Sequence, residues 1–214
     1  NCAVDTATGG FADALDPDRP DILRAGRITC DASADPARDG VLAGAPKLLR
    51  PDDPDAGVAD LCDAWLAKAE AEGREPILIV HGYDHRFDDA IIRAADVCTW
   101  YEREPGAPRL LPLAFVWPSV GGLLPSRYRA VRKRAEYAGA ALWRLFGALA
   151  RAEAVSRQSK PMRPHYLAQS MGVLVTRFAM QTALRPGSLS FPGDGPKVAL
   201  PHRILGQAFL MAAD

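Results

Sequence analysis

The residues best placed to do chemistry lie in Tyr166-Leu167-Ala168-Gln169-Ser170-Met171-Gly172. An apolar stretch stops at a serine and passes at once into a helix-patterned run, so Ser170 falls where a strand turns sharply into a helix. A hydroxyl on such a turn is presented for attack on a carbonyl carbon. Small residues two positions either side, here Ala168 and Gly172, let strand and helix pass closely. A serine that only caps an ordinary helix fits the same local pattern. The second constellation is His81-Gly82-Tyr83, which closes the apolar run 77–80. A loop at that point offers backbone N–H groups to a developing oxyanion, one from Tyr83 and a second from Met171 just after the serine. A turn glycine beside a buried histidine is the plainer reading of the same triplet.

These residues need a scaffold, and the chain supplies one. Val58, Leu61, Cys62, Trp65 and Leu66 recur at helical spacing, and Gly73 with Pro76 ends that helix. The spacing predicts strands over 77–80, 110–116, 165–169 and 204–211, with helices over 87–101, 127–152 and 171–184 between them and a Pro/Gly-rich loop over 185–202. The strands are continuous apolar runs, as expected when both faces are covered. Strands alternating with helices predict a doubly wound, mostly parallel α/β sheet, because each parallel crossover lays its helix on one face. Residues 1–55, rich in Asp, Ala, Pro and Gly, are expected to be irregular with about one strand around 22–30. They belong to the same single domain as the core over 56–214.

Taken in order, Ile77-Leu78-Ile79-Val80-His81-Gly82-Tyr83-Asp84, Phe87-Asp88-Asp89-Ala90, Trp117-Pro118-Ser119-Val120-Gly121 with Tyr128, and Ala168-Gln169-Ser170-Met171-Gly172 resemble a family of bacterial α/β-hydrolase-fold proteins of largely undefined substrate. Its members look like H-G-Y-N, W-P-S-x-G and A-H-S-M-G in that order, and the resemblance covers about residues 76–214. It implies serine hydrolase chemistry on an ester, thioester or amide, with Ser170 as nucleophile and the backbone of Tyr83 and Met171 as oxyanion hole. The chain differs from the pattern at Asp84, where Asn is common, and at Gln169, where His precedes the serine.

In this fold the segments leaving the carboxyl ends of the strands border the site. Trp117, Leu123 and Leu124, on the glycine-containing segment after the 110–116 strand, are therefore expected to wall an acyl pocket, with His81, Gly82, Asp84 and Gln169 beside them. The chain order of such a site is serine, acid, histidine. Asp214, at the end of the last strand, is the expected acid. No histidine follows it. His165 and His202 begin strands at the wrong end of the sheet, and His85 is the nearest remaining imidazole. The expectation is an incomplete hydrolase, its last strands and catalytic histidine lost to truncation, processing or a partner chain.

The composition narrows the alternatives. With 214 residues, 48% apolar and 24% charged, the chain has the make-up of an ordinary globular domain. Its 26 basic residues balance its 26 acidic ones, which argues against a dedicated nucleic-acid binder. No apolar run reaches the roughly 20 residues that span a bilayer, although the basic cluster Arg127, Arg129, Arg132, Lys133 and Arg134 could meet an anionic head group or partner. The four cysteines form no C-x-x-C pair. Spacing leaves a Cys2–Cys30 bridge open, while Cys62 and Cys98 in helix-like patterns suit a reducing compartment such as the cytoplasm. Asp84, Asp88 and Asp89 lack calcium-loop spacing, so neither metal nor cofactor is expected. The leading expectation is a serine hydrolase acting on a small-molecule or lipid acyl ester. The alternative is a binding or interaction module that keeps the scaffold without turnover.

Overall fold

The computed structural model describes residues 2–4, 11–33, 39–155, 162–183 and 205–211. Six short strands come first: β1 (Cys2–Val4), β2 (Phe11–Leu15), β3 (Ala25–Arg27), β4 (Cys30–Asp31), β5 (Val41–Leu42) and β6 (Lys47–Leu49). They pair as antiparallel ribbons, β1 with β2, β3 with β6 and β4 with β5. This corrects the expectation of about one strand over 22–30. Strands of two to five residues are too short to show a period, and only their partners reveal them. Cys2 and Cys30 are both free thiols, as are Cys62 and Cys98.

Beyond the ribbons strand and helix alternate as read: α1 (Pro54–Ala71), β7 (Glu75–Val80), α2 (Phe87–Tyr101), β8 (Leu110–Phe115), α3 (Pro125–Val155), β9 (His165–Gln169), α4 (Met171–Ala183) and β10 (Ala208–Met211). Asp53 caps α1 by accepting the Ala56 N–H at 3.1 Å, and Pro54 occupies its first turn. The last strand, expected over 204–211, starts at Ala208, after a turn in which Gly206 donates to the Pro164 carbonyl.

β7 to β10 form one parallel sheet in the order β10-β9-β7-β8. Side chains of β7 alternate between its faces. Leu78 and Val80 join Tyr166, Ala168 and Leu111 in the main core, against Val58, Cys62 and Trp65 of α1, the Ala135, Ala138, Leu142 and Phe146 face of α3, and Val175 and Ala179 of α4. Ile77 and Ile79 meet Ala94 and Cys98 of α2 on the other side. Burial raises the thiol pKa of both Cys62 and Cys98 to about 12, so they pack as small apolar groups.

The chain passes from β7 outward to β8, then returns to place β9 on the opposite side of β7. This makes the gap between the carboxyl ends of β7 and β9 the switch point where open α/β sheets bind ligands. The N-terminal segment is anchored to α2. Asp13 accepts the Phe87 N–H at 2.7 Å, and the Trp100 indole donates to the Ser33 carbonyl. Asp96, fully buried in α2, accepts the amides of Ser33 at 2.6 Å and Gly40 at 3.1 Å. Asp96→Ala removes the acceptor of the buried Gly40 amide and of the half-buried Ser33 amide, and is expected to lower the unfolding free energy by about 2 kcal/mol in urea titrations, with Asp96→Asn losing less because it keeps an acceptor.

Candidate active site

Ser170 follows the last residue of β9 and precedes the first of α4, and it adopts φ 49°, in the left-handed region that L-residues seldom enter. Its surroundings hold it there. Its N–H donates to the Met211 carbonyl of β10 at 2.6 Å, and its carbonyl accepts from Val173 at 2.9 Å. Thr176 donates to the Gly172 carbonyl at 2.8 Å. Its single hydroxyl proton being used, the Tyr166 hydroxyl donates to Thr176 at 2.5 Å, which ties the strand before the turn to the helix after it.

Two glycines permit the close approach. A Cβ on Gly172 would lie 2.6 Å from the Val80 carbonyl oxygen and 2.7 Å from that of His81, so no larger residue fits. A Cβ on Gly82 would lie 3.0 Å from the Ser170 Cβ and 3.5 Å from its Oγ. The loop after β7 thus lies directly against the serine. The amides of Tyr83 and Met171 have no protein acceptor among the described residues.

His81 is buried, and its ring orders this loop. The Trp117 N–H points at Nε2 at 3.1 Å, which leaves the proton on Nδ1, donated to the Gly82 carbonyl at 3.1 Å. Burial pushes the imidazole pKa down to about 3, so the ring stays neutral. Fixing the Gly82 carbonyl also fixes the planar peptide that carries the Tyr83 N–H on its opposite side. The Trp117 indole returns a bond to the His81 carbonyl at 3.0 Å.

Further bonds lace the loop after β7 to the loop after β8. Ser119 Oγ accepts the His85 N–H and donates to the His85 carbonyl, while the Ser119 carbonyl accepts from Asp84. Asp84, at φ 60°, accepts the amides of Gly121 at 2.9 Å and Gly122 at 3.0 Å, and these bonds hold its carboxyl below the usual carboxylate range. The Tyr83 hydroxyl donates to the Gly122 carbonyl.

The expected pocket changes accordingly. Trp117 has no exposed surface and supports His81 from below, so it walls no pocket. His81 is a buried strut, and the Asp84 carboxylate is engaged by the Gly121 and Gly122 amides. Gln169 is exposed beside Ser170. Leu123 does border a cleft of about 530 Å³, together with Tyr83, Gly122, Pro125, Tyr128, Arg129 and Arg132; Leu124 is exposed outside that lining. Tyr128 packs against Tyr83 with ring centroids 5.3 Å apart. Arg129 and Arg132 were legible only as part of a basic run, and their i, i+3 spacing was the available sign of a shared face. A larger cavity, about 720 Å³, lies between the N-terminal ribbons and β8 and is lined by none of the candidate residues.

Asp214 and His202 lie outside the described residues. His165 pairs with Glu75 at 2.8 Å at the amino end of the sheet, away from Ser170. His85 meets His81 edge-on at 5.6 Å, and among the described residues no histidine hydrogen-bonds to Ser170.

A strand, a serine turn and a helix at the switch point of a parallel sheet are the arrangement of the α/β hydrolases. The family described as alpha/beta hydrolase of unknown function (DUF900) matches residues 59–188, more than half of the chain, and the chain belongs to that family. No curated protein and no solved structure matches it. Among the described residues no helix is long and apolar enough to cross a membrane.

The neutral His81 gives stability a pH dependence with a definite sign. Its pKa falls from 6.5 to about 3 on burial, so the unfolded chain binds the proton first and stability drops as pH falls below 6.5. This one group is expected to make the protein about 2 kcal/mol less stable near pH ~5 than near pH ~7 in urea titrations. His81→Gln removes that part of the slope, while His85, whose pKa burial also lowers, keeps its own contribution in the same direction.

Proposed function

We propose that the protein is a serine hydrolase that cleaves a carboxylic acyl ester through an acyl-enzyme, with Ser170 as nucleophile. The observation that carries this reading is the left-handed backbone of Ser170 with Gly82 packed against its side chain. A helix-capping serine needs neither. Ser170 Oγ attacks the ester carbonyl and an imidazole takes its proton. The oxyanion then lies between the N–H groups of Tyr83 and Met171, each such donor contributing about 3 kcal/mol to the barrier reduction. The alcohol leaves with the proton, and water releases the acid by the same steps in reverse.

The imidazole comes from outside the described residues, either from this chain or from a partner chain that reaches Ser170 along the exposed β10 edge. Asp214 is proposed to orient it. The absence of a histidine bonded to Ser170 among the described residues favours one second reading, a binding module on a hydrolase scaffold. A fluorophosphonate probe separates the two. Hydrolysis predicts an adduct on Ser170 by mass spectrometry and short p-nitrophenyl esters turned over, both lost in Ser170→Ala. Folded protein that forms no adduct and turns over no ester is the scaffold.

A further inference from the structure

The loop after β8 ends in an apolar tip with a basic base. Leu123 is 102% exposed and Leu124 57% exposed, and Tyr128 is half exposed one turn into α3. Residues 121–135 hold Arg127, Arg129, Arg132, Lys133 and Arg134 and no acidic residue, in a chain whose net charge is zero. Arg134 donates to the Val120 carbonyl. Arg127, Arg129, Arg132 and Lys133 are exposed, with no ion-pair partner among the described residues. The adjacent carboxylate, Asp84, is engaged by the Gly121 and Gly122 amides.

A slack loop would let the two leucines fold back. This one is clamped: Asp84 holds the amides of Gly121 and Gly122, Tyr83 holds the Gly122 carbonyl, and the Leu124 carbonyl starts α3 by accepting from Arg127 and Tyr128. The leucines are held out in water by a rigid base, an arrangement that marks an interaction surface. Charge complementarity selects its occupant. A second copy seated symmetrically would oppose the same five cations across the axis. An anionic bilayer accepts both features, with leucines among the acyl chains and guanidinium and ammonium groups at the phosphate level.

We propose that residues 121–133 dock the protein on an anionic lipid surface, with Leu123 and Leu124 inserted and Arg127, Arg129, Arg132 and Lys133 at the head groups. Docking turns the Tyr83 cleft toward the lipid. The proposal stands on the tip alone and does not depend on Ser170 being a nucleophile.

Co-sedimentation with vesicles of phosphatidylcholine alone, and of phosphatidylcholine mixed with phosphatidylserine, tests it. The partition coefficient is expected to be at least about tenfold higher on the mixed vesicles and to fall as salt rises. Leu123→Asp with Leu124→Asp is expected to lose that binding, and Arg129→Glu with Arg132→Glu to lose the preference for the anionic lipid. Circular dichroism checks that these surface variants fold. Equal partition of the unaltered protein on both vesicles overturns the proposal without any variant. So does undiminished binding by the folded leucine variant, or a dimer in size-exclusion chromatography that this variant abolishes.

Discussion

The site depends on a buried imidazole that carries no charge. His81 sits at the end of β7, accepts the Trp117 amide and donates to the carbonyl of the next residue. A protonated ring at this position could not accept from Trp117. The loops after β7 and β8 would lose their central tie. With that tie made, the remaining bonds through Ser119, Asp84 and Tyr83 join two loops from neighbouring strands into one unit. That unit carries Gly82 against Ser170 on one flank and presents the leucine tip on the other.

The serine itself is held by a separate set of contacts. A non-glycine residue at positive φ costs about 1–3 kcal/mol and persists only where its surroundings over-determine it. Here the surroundings are the Tyr166-Thr176-Gly172 chain of hydrogen bonds and the close seat of Gly172 on the Val80 and His81 carbonyls. Thus β7 contributes to both halves: the carbonyl of its last residue, with that of His81 just beyond it, seats the helix after Ser170, and the following loop faces the serine. The switch point is where one strand can do both.

The sequence made the central sheet legible because β7, β8 and β9 are buried and separated by helices with clear apolar faces. The serine turn was legible as a pattern, since an apolar strand, a serine and a glycine-opened helix are all local features. What escaped was whatever depends on a distant partner. Trp117 looked like a pocket wall because it lies on the segment leaving the carboxyl end of a strand, and such segments border the site in this fold. Its partner, His81, lies in another loop. The short N-terminal strands have no period of their own, and Asp96 reads as one more polar residue on α2 until Ser33 and Gly40 are placed beside it. Arg129 and Arg132 have the same pattern as any solvated helix face, and only the clamped loop next to them gives that face a direction.

The amide of Ser170 ends on the Met211 carbonyl of β10, the outermost described strand on that side of the sheet, whose Phe209, Leu210 and Met211 are all exposed. Edge strands with few buried contacts open at a lower free energy than the strands they flank. Ser170 is therefore tied to an edge strand of the described sheet, and opening of β10 would release one of its restraints. Anything that covers β10 stiffens Ser170 without touching its hydroxyl, so the order of the serine turn is set partly by what lies along that edge.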